Sequence, residues 1–188
     1  MRRTPNQPAT HFAQPPKGVA ERLAIWGGAD AFGEICRAVV REQGVLVEES
    51  ALMEEALARI AASLDRDRET SDFQKEDLSK IALQAITEIL RRDHQRLIAG
   101  EAGARAGSTR DEFVVQALGF HPDEAHRVAV RFNSLSLRTR RAFFDVLIDH
   151  IPPSEVVQRE EAWPSARALV KDLYAAILHL RGSEPNSL

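Results

Sequence analysis

One cysteine, one tyrosine and two tryptophans are spread over 188 residues, and each scarcity removes a class of protein. A lone cysteine excludes an internal disulfide and any cysteine-rich zinc site. Cys36 falls on the stripe Phe32, Ile35, Cys36, Val39 and Val40, which predicts a buried core thiol rather than a nucleophile. No run approaches the ~20 apolar residues of a membrane span. The opening MRRTPNQPATHFAQPPKG has basic residues with no apolar core behind them, so no signal peptide is expected either. The expectation is a soluble, cytoplasmic protein without membrane contact. A formal net charge of −3 argues against a surface that coats nucleic acid throughout, because phosphate binding demands a positive field.

Catalytic constellations are equally sparse. The glycines at 27, 28, 100, 103 and 107 lack the strand-to-helix setting and the Lys-Ser/Thr ending of a phosphate-binding loop. His121 and His126 are five residues apart with Pro122 between them, which does not bring two imidazoles to one helical face. Asp93 and His94 are adjacent, so on a helix their side chains diverge, and a solvent-exposed polar face is expected there. Tyr174 and His179 have no nucleophile placed by spacing. These features predict a protein that is not an enzyme and that needs no metal or cofactor.

What is present is helical periodicity from end to end, with 44% hydrophobic residues and no competing strand signal. Residues 1–17 hold four prolines and read as a flexible arm. Helices are expected over Glu21 to Trp26 and Asp30 to Gln43, the second capped by Gly44. A third follows Ser50, and a fourth follows a capping box at Ser71 and Gln74 and ends near Gly100. The stretch 100–108 is rich in glycine and small residues and marks the domain boundary. Thr109 with Glu112 opens a short helix ending before Gly119, and Pro122 suits the first position of the next. The predicted organisation is an all-α chain: arm 1–17, a partner-binding helical domain 18–99, linker 100–108, a second helical domain 109–182, and tail 183–188.

The last domain contains the most specific pattern. Ser136, between Leu135 and Leu137, can cap a helix whose apolar positions include Phe143, Phe144, Leu147 and Ile148, until Pro152 and Pro153 stop it. Ser154 can cap a short helix starting at Glu155. Trp163 and Pro164 then break the chain before Leu169, Val170, Leu173, Ile177 and Leu180, the expected inner stripe of a longer helix closed by Gly182. Three helices of an ordinary bundle could share this spacing. Arg127, Arg131, Arg138, Arg140 and Arg141 gather before and within the first of them. They read either as a contact for phosphate or acidic protein, or as a solvated face paired with Asp123, Glu124 and Asp145.

The order Leu135, Ser136, Arg140, Phe143, Phe144, Ser154, Glu155 and Val156 resembles region four of bacterial sigma factors, a helix-turn-helix module, over roughly a quarter of the chain. The resemblance implies a transcription regulator that contacts core RNA polymerase and promoter DNA. The polymerase-binding groove, which seats the flap tip of the beta subunit, would be lined by Phe143, Phe144, Leu147, Val156 and Val157. The DNA-facing residues would be Ser165, Arg167 and Lys171, with Arg138 and Arg141 beside them. The turn Glu160-Glu161-Ala162-Trp163 is acidic where the family has glycine, and base-reading residues are few, so polymerase contact is expected to outweigh DNA reading. That combination is similar to the sigma-like coactivators of alphaproteobacterial gene transfer agent clusters, which work with a DNA-binding partner. The acidic outer faces at Glu48, Glu49, Glu54 and Glu55, and the scattered Trp26, Phe32 and Phe73, do not suit promoter melting, which needs basic and aromatic residues together. The N-terminal domain is therefore expected to bind a protein partner. The alternatives are a helical adaptor without DNA contact and a dimeric helix-turn-helix repressor.

Overall fold

The computed structural model describes residues 17–66, 75–99, 109–160 and 162–182. Within them the chain is all-helical, with no strand among the described residues. The expected linker 100–108, tail 183–188 and capping box at Ser71 and Gln74 lie outside the described residues, as does all of the expected arm except its last residue. Helix α1 (Lys17–Ile25) starts at that residue, one turn earlier than the periodicity suggested. Gly27 and Gly28, at φ 100° and 85°, turn the chain into α2 (Gly28–Gln43). Gly44 closes α2 in the left-handed conformation, its N–H reaching Arg41 O and Val40 O, as a helix ends when Cβ is absent. Long helices α3 (Glu49–Arg66) and α4 (Lys75–Ile98) complete the first layer. Between them Ala56, Ala82 and Ala85 are fully buried, and such small residues let helix axes approach. Phe32, Cys36, Leu52, Ile60 and Leu78 fill the first apolar core around them. Desolvation there pushes the Cys36 thiol up to about 12, as expected for an inert core thiol.

The second layer begins with α5 (Thr109–Glu112), which continues as a π-helical turn over Phe113–Ala117. Pro122 opens a 3-10 turn leading into α6 (Ala125–Ser134). Helix α7 (Leu137–Phe143) is capped by Ser136, whose Oγ accepts from Thr139 N–H at 3.2 Å, and also ends in a π turn, Phe144–Ile148. Helix α8 (Pro153–Arg159) begins at a proline, with Pro152 at the cap position, so Ser154 lies inside the helix instead of capping it. Helix α9 (Ala166–Arg181) is closed by Gly182 at φ 77°. Four phenylalanines form the centre of this second core. Phe113 stacks on Phe144 at 5.5 Å and meets Phe132 edge-on at 5.7 Å, while Phe132 contacts Phe143 at 5.5 Å.

A short non-helical stretch joins the cores. Val45 and Val47 enter the first core and Leu46 the second, the alternation of an extended chain. The Asn133 side chain then acts as a neighbouring strand would: its Oδ1 accepts from Leu46 N–H at 2.7 Å and its Nδ2 donates to Leu46 O at 2.8 Å. Arg140 adds a bond to Gln43 O at 3.0 Å and Arg141 one to Glu42 O at 2.7 Å, satisfying carbonyls at the end of α2. A side chain at Gly44 would lie 3.2 Å from Arg140 Cβ and Arg141 N, so glycine there allows α7 its close approach. Asp93, expected in solvent, is instead buried with Arg110 at 2.9 Å. The second Arg110 nitrogen lies 3.0 Å from His126 Nδ1, so α4, α5 and α6 meet in one buried polar cluster.

Candidate functional site

The expected site residues divide into three environments. Phe143 and Val156 are buried within the second core. Phe144, Leu147 and Val157 are half-buried against the same core. Phe144 also lines an open groove of about 490 Å³, running between the end of α7 and helices α2 and α3. There Phe144 and Ile148 face Ala38, Val40, Val47 and Leu52. Arg37 and Arg41 stand on the rim, Arg37 paired with Glu34 at 2.7 Å and with Glu49, and Arg41 with Asp149. The walls from α2 and α3 were not legible beforehand, because no local pattern tells which helix of one layer meets which of the other.

The arginine group divides among several kinds of partner. Arg140 is held by Asn133 O, Leu135 O and Gln43 O, and Arg141 by Glu42 O. Burial, then the neighbouring Arg141 charge, pushes Arg140 below the usual guanidinium value. Arg131 donates to Leu180 O at 3.3 Å, and only Arg127 makes the expected carboxylate pair, with Glu124. Arg141 is thus half-buried at the joint between the layers. Arg138 is exposed, its guanidinium 5.4 Å from the centre of the Trp163 ring.

Trp163 sets the angle between α8 and α9. Its ring is buried in the second core and its indole N–H donates to Asp172 Oδ2 at 2.8 Å. Ser165 caps α9, accepting from Ala168 N–H at 3.2 Å. Leu169, Leu173, Ala176 and Leu180 turn inward. Arg167 and Lys171 are exposed, and neither makes an ion pair among the described residues. Val170, expected on the inner stripe, is instead 51% exposed, and Tyr174 is 62% exposed. An acidic cleft lies beside the end of α7. Asp145 shares a cleft with Glu42, Arg141 and Glu160, and burial, then the charges of Asp149 and Glu160, raises its carboxyl above the ordinary value.

Among the described residues no helix is long and apolar enough to cross a membrane, and no group of three metal-ligating side chains is found. No known family matches this chain, and no curated protein or solved structure is significantly similar to it.

Proposed function

We propose that the chain is a transcription regulator of the coactivator type, in which α7, α8 and α9 act as a degenerate helix-turn-helix similar to sigma factor region four. The observation that carries this reading is the α8–α9 pair. Trp163 fixes the turn and Leu169, Leu173 and Leu180 anchor α9, leaving Arg167 and Lys171 in solvent beside the Ser165 cap. In this reading α9 faces promoter DNA. An apolar tip of the polymerase beta flap seats against Phe144 and Ile148, in a groove whose far wall is Val40, Val47 and Leu52. The N-terminal layer then forms part of the polymerase contact in addition to serving a protein partner. The resemblance to sigma-like coactivators of gene transfer agent clusters suits a chain of net charge −3 whose last helix holds Arg167 and Lys171 in solvent.

The test is association of the purified full chain with core RNA polymerase. Ile148→Asp, at a side chain 42% exposed on the groove, should weaken that association at least tenfold without unfolding the protein. Arg167→Glu should leave it intact and reduce DNA retention of the assembled complex. Polymerase binding that is absent in the wild type, or indifferent to Ile148→Asp, overturns the proposal. The groove also favours one second reading, a helical adaptor that seats an apolar helix of another protein, and that reading predicts Ile148 sensitivity toward a partner other than polymerase.

A further inference from the structure

We propose that the groove at Phe144 and Ile148 and the acidic cleft beside it form one docking surface, and that its occupant is a basic amphipathic helix of another protein, with apolar side chains in the groove and a lysine or arginine in the cleft. The inference deepens the reading of the groove as a docking site and rests on it, but holds whichever protein supplies the helix. Ala38, Arg41 and Phe144 line both the groove and the cleft, so the two are continuous, with Phe144 at the divide. On one side of it Ile148, Val40, Val47 and Leu52 offer apolar surface. On the other, a cleft of about 390 Å³ is bordered by Glu42, Asp145 and Glu160. The walls of the groove come from α2, α3 and the π turn that ends α7, and a trough between helices takes a helix. An extended segment would need a sheet edge, and no strand occurs among the described residues.

Charge selects the kind of helix. The cations on the groove rim are already neutralised, Arg37 by Glu34 and Glu49, and Arg41 by Asp149. Glu42, Asp145 and Glu160 make no ion pair among the described residues. Arg141, the other cation lining the cleft, donates through Nε to the Glu42 carbonyl, and Arg159, whose charge reaches Asp145, is paired with Glu155. Burial, then repulsion from Asp149 and Glu160, raises the Asp145 carboxyl despite these arginines. An arriving lysine or arginine would offset that repulsion and pair with the half-buried Asp145 and Glu160, whereas an acidic helix would add to it. Ala38 and Glu42 are one turn of α2 apart, about 6 Å, so a docked helix reaches groove and cleft with an apolar residue and a cation one to two turns apart.

The experiment is a selection from a displayed library of helical peptides with the purified full-length protein, followed by fluorescence anisotropy on the enriched peptide. The expected consensus has apolar residues at i and i+4, with lysine or arginine one to two turns away and no carboxylate there. Ile148→Asp should weaken binding of that peptide at least about tenfold, since a carboxylate replaces an apolar contact. Exchanging the peptide's cation for glutamate should weaken it about tenfold, the worth of a charge-assisted hydrogen bond, and Glu160→Lys should recover part of that loss. Ile148 is exposed and Glu160 makes no ion pair among the described residues, so circular dichroism of both variants should be unchanged. Peptides that need Ile148 but show no preference for a cation overturn this inference and leave the groove reading standing. No enrichment, or enrichment indifferent to Ile148→Asp, overturns both. Sedimentation showing a dimer that Ile148→Asp dissolves makes the occupant a second copy of this chain and overturns it too. Core polymerase association measured in parallel separates the proposals: a cationic peptide bound by a protein that polymerase does not retain supports this inference and removes the polymerase reading.

Discussion

The arginines of the two layers have different partners. In α2 to α4, Arg37, Arg59, Arg91 and Arg92 meet carboxylates of the same layer: Glu34 and Glu49, Glu55, Glu88, and Glu55 with Glu88. Arg91, then Arg92, holds the Glu88 carboxyl down to about 2 by hydrogen bonding. In α6, α7 and α9 the partners are main-chain carbonyls for Arg131, Arg140 and Arg141, rings for Arg138 and Arg181, and solvent for Arg167. Arg127 and Arg159 keep the ordinary helix pairing with Glu124 and Glu155. A surface whose charges neutralise one another has little field for anions, and such exposed pairs add little stability. Cations without carboxylate partners keep theirs. Net charge therefore misdescribes this molecule: most arginines of α2 to α4 are paired with carboxylates of their own layer, Arg41 with Asp149 excepted, while Arg167 and Lys171 of α9 stand in solvent.

The comparison fails if the layers are independent, so the strongest test is at the buried pair between them. Arg110→Ala would leave Asp93 buried without its cation and should cost about 3 to 5 kcal/mol, seen as a lower midpoint of urea unfolding. One cooperative transition should remain, because Leu46, Arg140, Arg141 and Arg110 all tie one layer to the other. A second transition that keeps the wild-type midpoint would show that the layers unfold separately. Replacing both partners by leucine should recover most of the loss, since the penalty comes from the uncompensated charge.

The joint at Leu46 should give a smaller effect. Asn133→Ala removes two hydrogen bonds and strands a backbone N–H and C=O in a half-buried place, for a loss of about 1 to 3 kcal/mol. Hydrogen exchange should rise first at the Leu46 amide. If instead exchange rises evenly along α6, Asn133 supports its own helix and does not join the layers.

Local signals were legible in the sequence, and contacts between distant segments were not. Ser136, Gly44, Gly182 and Pro122 act through their own backbone neighbours, and the Phe32 and Cys36 stripe follows from helical spacing alone. Asp93 reads as a surface residue because its partner, Arg110, stands 17 positions away beyond a boundary. Val170 follows Leu169 on the edge of an apolar stripe, where a small rotation of α9 decides between core and solvent, and Trp163 with Asp172 fixes that rotation. Ile148 shared the helical stripe with Phe143, but only the packing of α2 and α3 makes it a groove residue. The arginines carried no local sign of whether carboxylates or carbonyls would receive them.

The smallest predicted effect concerns carboxylates of the second layer, and it turns on sign. Burial, reinforced by Asp149 and Glu160, raises the Asp145 carboxyl in the folded protein, against an unfolded value of about 3.9. Between those two values the folded state holds more protons than the unfolded one, so stability falls as pH rises through the window. Below it Asp145 is protonated in both states and has no such cost. Asp145→Asn should therefore match the wild type near the bottom of the window and become the more stable protein above it, with a flatter dependence of urea midpoint on pH. If the wild type gains stability over the variant as pH rises, Arg41 and Arg159 outweigh burial and repulsion. Asp145 would then be a charge balanced by its own surroundings, like Glu88, and the contrast between the two layers would be confined to their arginines.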